Sequence, residues 1–222
     1  MSGKLSTGSR SLDSFLQGGF ESGIISEIFG EPGSGKTNLV LSSSLTNSAK
    51  GKIIYLDTEG VSAERLAQMA RHGSVPSNVK FFRIRNYEEQ LESVPAILNL
   101  VLSMSDVVMV VVDTITAHYR VERDIRSELR RRTSNTLLTQ VEMLSNVAST
   151  LEIPVLMVNQ VYSEKDTSEV KPVGGSALTH MAKAIFKVEK VGGGFRELVV
   201  VKHRSLPEGI RCRFRITEYG IE

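Results

Sequence analysis

Gly30-Glu31-Pro32-Gly33-Ser34-Gly35-Lys36-Thr37 has the Gly-x-x-x-x-Gly-Lys-Thr spacing of a phosphate-binding loop. Glycines let such a turn double back, so that successive backbone N–H groups point into one hollow. A helix starting there, with Asn38 in its first turn, adds the partial positive charge of its N-terminus. On this reading residues 30–38 cradle the phosphates of a nucleotide, Lys36 lies against the β- and γ-phosphates, and the Thr37 hydroxyl ligates Mg²⁺. Three further polar residues could share this chemistry. Asp113 follows a run of five valines in six residues. That is the pattern of a strand-end carboxylate holding the water shell of Mg²⁺, and also of an ordinary strand-end turn. Glu59 could orient and deprotonate a water attacking the γ-phosphate, or could favour a helix start through its charge. Gln160 could hydrogen-bond a γ-phosphate and sense its loss, or could be a loop residue.

These residues need a scaffold that brings them together, and the apolar pattern supplies one. The runs at residues 24–29, 53–56, 79–84, 107–112 and 154–158 are continuous rather than alternating. Between them lie helical patterns at 38–49, 63–71, 88–103, where Pro95 invites a kink, and a stretch ending near 150. Strands buried on both faces and alternating with helices predict a mainly parallel sheet covered on both sides. Ligands of such sheets bind at the carboxyl ends of the strands. Glu59, Asp113 and Gln160 all fall just past such ends. Ahead of the first run, Ser11 is placed to cap a short helix that Gly18-Gly19 stops. The last forty residues differ: 184–191, Gly192-Gly193-Gly194 and 197–202 read as a hairpin, and 211–216 as another strand. They are expected as antiparallel strands on one sheet edge. The only tract resembling a linker is 163–175.

Composition bounds the rest. The chain has 222 residues, 41% hydrophobic and 23% charged, which gives an ordinary globular protein with a real core. A net charge of +2 is too small to argue for nucleic acid by itself, so that case rests on clusters. The one cysteine, Cys212, permits no internal disulfide, reads as a strand residue and fits a reducing, cytoplasmic compartment. The opening residues carry no signal-peptide pattern, and the longest apolar run is too short to span a bilayer. Arg120, Arg123, Arg126, Arg130, Arg131 and Arg132 fall within thirteen residues. They could contact DNA phosphates, or pair with Glu122, Asp124 and Glu128 on a solvated helix face. Lys202, His203 and Arg204 form a second basic cluster, able to meet a phosphate backbone or a neighbouring chain's γ-phosphate.

Together the motifs resemble the RecA-like recombinase family, in its archaeal and eukaryotic branch. The resemblance rests on Ser6-Thr7-Gly8 to Leu12-Asp13, Gly18-Gly19, Gly30 to Thr37, Tyr55-Leu56-Asp57-Thr58-Glu59-Gly60 with Glu64-Arg65-Leu66, Val112-Asp113 and Asn159-Gln160-Val161. It implies one RecA-like P-loop ATPase domain over residues 1–222, with ATP and Mg²⁺ as ligands. It also implies Glu59 as the catalytic glutamate, Arg65 near the adenine, and DNA-binding loops at about 117–127 and 161–175. Only 29 residues precede the phosphate loop, which leaves no room for the helical N-terminal domain of the full-length members, and no Phe-x-x-Ala joining segment is present. These departures resemble the short archaeal paralogues of the family. They imply weak ATP hydrolysis, binding of single-stranded or branched DNA without strand exchange, and an accessory part in recombination and repair. Expected partners are the main recombinase or a junction nuclease, in the cytoplasm and near the nucleoid. Two other readings fit the same phosphate loop. One is a small-molecule P-loop kinase with the arginine-rich stretch as its lid, and the other a ring-forming motor or signalling ATPase. No Asn-Lys-x-Asp follows a strand, which disfavours a GTPase.

Overall fold

Successive side chains of a strand point to opposite faces, so a run that is apolar at every position needs a cover on both sides. The structure, a computed structural model, supplies both covers; it describes residues 3–70, 74–119, 130–163, 170–173 and 175–222. In chain order the elements are β1 (Lys4–Leu5), α1 (Arg10–Phe15), β2 (Phe20–Glu21), β3 (Ile25–Phe29), α2 (Lys36–Asn47), β4 (Lys52–Asp57) and α3 (Ala63–Met69). Then come β5 (Val79–Arg83), α4 (Tyr87–Ser103), β6 (Val107–Asp113), α5 (Arg130–Leu151), β7 (Val155–Asn159), β8 (Val161–Ser163), β9 (Val170–Pro172) and α6 (Gly175–Met181). The chain ends with β10 (Ala184–Gly192), β11 (Phe195–Lys202), β12 (Arg211–Thr217) and β13 (Gly220–Ile221).

The main sheet has nine strands in the order β13-β12-β11-β10-β3-β7-β6-β4-β5. Every pairing from β10 to β5 is parallel, and β11, β12 and β13 are added beyond β10 as antiparallel neighbours. The expected strand-and-helix alternation and the mainly parallel sheet are therefore present. One expectation changes. The first strand of the C-terminal hairpin joins β3 in parallel, with Phe186 opposite Ile28. It arrives after a crossover that contains α6, so it runs in the same direction as β3.

Alternation divides the core by face. Ile28, Tyr55, Met109, Val111 and Leu156 pack with Leu39 and Val40 of α2. Ile25, Ile54, Leu56, Val110 and Met157 pack with Val94 and Leu98 of α4 and with Val141 and Leu144 of α5. At roughly 1.5–3 kcal/mol per fully buried aliphatic side chain, each face gains far more than any single surface ion pair supplies. α4 continues through Pro95.

Two boundaries are corrected. Ser9, not Ser11, caps α1: its backbone is extended and its hydroxyl accepts from the Leu12 N–H, while Ser11 lies inside the first turn. Asp13 of α1 accepts from the Thr7 N–H and hydroxyl, and the Ser6 carbonyl accepts from Ser43 and Asn47 of α2. The lead-in is thereby tied to the helix that starts at the phosphate loop. The tract expected as a linker contains regular structure: Val161, Tyr162 and Ser163 pair antiparallel with Pro172, Lys171 and Val170, and Gly175 opens α6. Residues 164–169 and 174 lie outside the described residues. Cys212 lies on β12, as expected.

Candidate nucleotide site

β3 ends at Phe29, and α2 starts at Lys36. Two glycines shape the turn between them. Gly35 takes φ 108° at the N-cap, and a Cβ there would come within 2.8 Å of the Ile216 side chain. A Cβ on Gly30 would stand 2.3 Å from the Val188 carbonyl oxygen, which is backbone and cannot yield. Lys36 Nζ donates to the carbonyl oxygens of Gly30 (2.9 Å) and Glu31 (3.0 Å). Burial lowers its pKa; the carboxylates of Glu59 and Asp113 oppose this, and Lys190 adds to it. Ser34 is buried in the loop, and its hydroxyl has no partner among the described residues.

The sheet order places the other candidates beside this turn. β7 lies between β3 and β6, and β4 lies beyond β6. Gln160, Asp113 and Glu59 therefore stand at neighbouring carboxyl ends, as the strand pattern predicts. Asp113 is 1% exposed, and Tyr55 donates to its Oδ2 at 2.7 Å. Oδ1 is buried with no hydrogen-bond partner among the described residues. Burial pushes its pKa up to about 6, against the stabilising hydroxyls of Tyr55 and Thr37 and with help from Glu59 and Asp57. The Thr37 hydroxyl and the Asp113 carboxylate thus act on one another across the start of α2.

Glu59 is held at the tip of a turn that Asp57 closes. Asp57 accepts from the N–H groups of Gly60 (2.7 Å) and Val61 (2.9 Å) and pairs with Arg83 Nη1 at 2.9 Å. Thr58 locks the turn to β6: its N–H donates to Asp113 O, its hydroxyl to Thr114 O, and the Thr114 N–H donates back to that hydroxyl. Gln160 Nε2 then donates to Glu59 Oε1 at 2.6 Å. Lys36, Thr37, Glu59 and Gln160 line one cavity of about 380 Å³, together with Asn38 and the loop glycines. Four groups singled out from three stretches of sequence are brought into one hollow, and the buried Asp113 interacts with Lys36 and Thr37 of that set.

Arg65 is placed at the rim rather than in the cavity. Its Nε donates to Asn38 Oδ1 (2.8 Å), and its Nη groups donate to the carbonyl oxygens of Thr217 and Glu218. Glu31 and Pro32 form the exposed shoulder of the loop.

The second basic cluster is placed elsewhere. Lys202 pairs in register with Ile185 near the start of β10, and Ile185 stands beside Glu27 in the middle of β3. Lys202 Nζ donates to the carbonyl oxygens of Thr179 (3.0 Å) and Ala182 (2.8 Å), completing the C-terminus of α6 as a cation does well. Arg204 Nε pairs with Glu21 at 2.7 Å. His203 is partly buried, its ring 6.0 Å from that of Phe186, and burial lowers its pKa. The structure thus gives Lys202 and Arg204 partners within the chain. Arg120, Arg123 and Arg126 lie outside the described residues.

Sequence reasoning passed over several residues that support the site. Tyr55 and Asp57 carry the resemblance as part of the stretch 55–60, which gives them no role of their own in the site. Arg83 meets Asp57 across 26 residues, which no local pattern reveals. Asn159 is fully engaged: its amide donates to Glu27 Oε1 and Val173 O and its carbonyl accepts from Thr116, each at 2.7 Å. Glu27 is fully buried, and burial raises its pKa.

Asp113 carries a pH dependence. Its pKa near 6 in the fold exceeds the ordinary 3.8, so the fold holds the proton more tightly than the unfolded chain does. The associated stability is present below about pH 4 and is lost as pH rises through about 6. A shift of about 2 units corresponds to roughly 3 kcal/mol. Without nucleotide or Mg²⁺, denaturant titrations should show wild type losing stability relative to Asp113→Asn by an amount of that order between pH 4 and pH 7.5. A pH-independent difference would contradict it.

With this geometry in hand, comparison with known proteins is direct. A match to the Rad51 family spans residues 3–222. The DNA repair and recombination protein RadB of Methanococcoides burtonii is 41% identical over 95% of this chain and 93% of its own length. Its counterpart in Thermococcus kodakarensis is 40% identical over 98% of both chains. A solved crystal structure of the RadB recombinase superposes with a TM-score of 0.82 at 39% identity, covering 98% of each chain. The chain belongs to the Rad51 family, among its RadB members.

Proposed function

We infer that the chain binds ATP with Mg²⁺, hydrolyses it slowly, and acts on DNA as an accessory protein of repair and recombination. One observation carries this reading: Lys36 and Thr37 of the phosphate loop line the same hollow as the Glu59–Gln160 pair, and the buried Asp113 carboxylate interacts with Thr37 and Glu59 there. The residues fit the ion. A buried carboxylate oxygen without a partner and a neighbouring hydroxyl are the hard oxygen donors that Mg²⁺ takes, with phosphate oxygens and water completing the shell. When bound, Mg²⁺ would neutralise charge on the β- and γ-phosphates. Lys36 would leave the loop carbonyls for the phosphate oxygens. Glu59 would orient a water in line with the γ-phosphorus and take its proton, as the new O–P bond forms and the bridging P–O bond to the β-phosphate breaks. Slow turnover is expected wherever no neighbouring chain supplies an arginine finger to the phosphates.

Gln160 links the phosphate state to the β8–β9 ribbon. Its side chain holds Glu59, and its carbonyl oxygen accepts from the Val173 N–H at 2.9 Å, so both ends of that ribbon meet at this residue. The family resemblance assigns a DNA-binding loop to the same stretch. The relatives' names, DNA repair and recombination protein, support the same role here. Partners on this reading are single-stranded or branched DNA and other recombination proteins, in the cytoplasm. Among the described residues no helix is long and apolar enough to cross a membrane.

The test is DNA binding by fluorescence anisotropy with and without MgATP over a salt series, with solution mass measured in parallel. Neutralising four phosphates of a single strand predicts a slope of about −3 in log affinity against log salt. Nucleotide should shift the affinity measurably. Salt-insensitive binding, or none, would contradict the DNA half of the reading.

A further inference from the structure

The β10–β11 hairpin brings two cations to the phosphate loop that no motif marks. Lys190 and Arg196 face each other in register across the hairpin. Lys190 is exposed, yet its Nζ donates to the Pro32 carbonyl oxygen at 3.0 Å and stands 3.3 Å from where a Cβ on Gly33 would be. Arg196 packs its Cγ 3.8 Å from the same point on Gly35, and its Nε is buried with no partner among the described residues. Pro32, Gly33 and Gly35 line the cavity; Lys190 and Arg196 do not. Both cations therefore stand behind the loop wall.

That placement has a consequence for the donors in the wall. The Pro32–Gly33 peptide is trans, so its C=O and N–H point in opposite directions. Holding the Pro32 oxygen on an ammonium turns the Gly33 N–H away from Lys190, toward the hollow that Gly33 lines. Donors aimed before the ligand arrives lose less freedom on binding, and the saving appears as affinity.

We propose that Lys190 is a positioning residue of the nucleotide site, bracing the Pro32–Gly33 peptide so that the loop is set for a nucleoside di- or triphosphate. The proposal rests on the nucleotide-binding reading above. Its charge is also felt by Lys36, whose ammonium is destabilised by Lys190, so the two lysines share one electrostatic site from opposite sides of the loop. The brace differs from the role considered for Lys202, which lies at the far end of the hairpin.

The experiment is calorimetric titration of MgADP and of adenosine into wild type, Lys190→Met, Lys190→Arg and Lys183→Met. Lys183 is exposed and removes the same charge just before β10, away from the loop. Loss of one charge-assisted bond predicts MgADP affinity weaker by about 10-fold in Lys190→Met. Adenosine affinity should stay as in wild type, Lys190→Arg should recover most of the loss, and Lys183→Met should remain within about twofold, the exposed-charge level. The thermal midpoint without nucleotide should not move by more than a degree or two, as for other exposed side chains. Wild-type MgADP affinity in Lys190→Met, an equal loss for adenosine, or an equal loss in Lys183→Met would each overturn the brace while leaving the nucleotide site standing. No MgADP binding by wild type would overturn the nucleotide reading itself, and the brace with it.

Discussion

Lys36→Ala should lose ATP affinity by roughly 10²–10⁴-fold while staying folded. Hydrogen bonds to charged groups are worth about 1.5–3 kcal/mol each, and the ammonium has donors for two phosphate oxygens, which together give that range. The structure explains why the fold should tolerate the change. Lys36 is only half-buried, and its present partners, the Gly30 and Glu31 carbonyl oxygens, lie at the loop edge where water can replace it. A stability loss below about 1 kcal/mol is expected, as for a partly exposed polar contact. Nucleotide-linked changes in DNA affinity should vanish in the same variant. ATP affinity equal to wild type by calorimetry would remove the loop from the account.

Glu59→Gln should divide binding from hydrolysis. General-base assistance contributes typically 10²–10⁴-fold, so the steady-state rate should fall by about that factor, within the limit set by a slow wild type. ATP affinity should change little, because Glu59 is exposed at the tip of the Asp57 turn and touches Gln160 rather than the loop. Gln160→Ala should act differently, removing the side-chain bond to Glu59 while its backbone carbonyl still holds the Val173 N–H of the β8–β9 ribbon. Its expected signature is retained ATP binding with a reduced response of DNA affinity to nucleotide. If Glu59→Gln hydrolyses ATP at the wild-type rate, the water-orienting role belongs to another group.

Much of this site could be read before any coordinates. The loop spacing and the polar residues after apolar runs are local signals, and a parallel sheet converts them into neighbours because it gathers strand ends at one edge. That is why Gly30, Lys36, Thr37, Asp113, Glu59 and Gln160 converge although 130 residues separate the first from the last. Strand positions were legible because β6 and β7 are buried on both faces and so leave unbroken apolar runs. Less legible were features that depend on chain direction or on distant partners. Whether 184–191 joins the sheet parallel or antiparallel depends on the crossover before it, not on its own residues. Lys202 reads as a cation free to meet phosphate, yet it completes a helix end formed 20 residues earlier. Lys190 reads as an ordinary strand residue, yet it meets Pro32 across 158 positions. The cap of α1 shows the smaller error: Ser9 and Ser11 offer the same side chain, and only the extended backbone at Ser9 decides between them.

On the proposed reading, the phosphate loop and the carboxylate at Asp113 grip one magnesium–triphosphate. The most direct test is ATP titration over a range of Mg²⁺ in wild type and in Asp113→Asn, at a pH above the carboxyl's value near 6. Wild type should bind ATP more tightly as Mg²⁺ rises, and Asp113→Asn should lose most of that dependence while keeping its affinity for metal-free ATP. Full Mg²⁺ dependence in Asp113→Asn would show that the carboxylate and the loop do not share the ion.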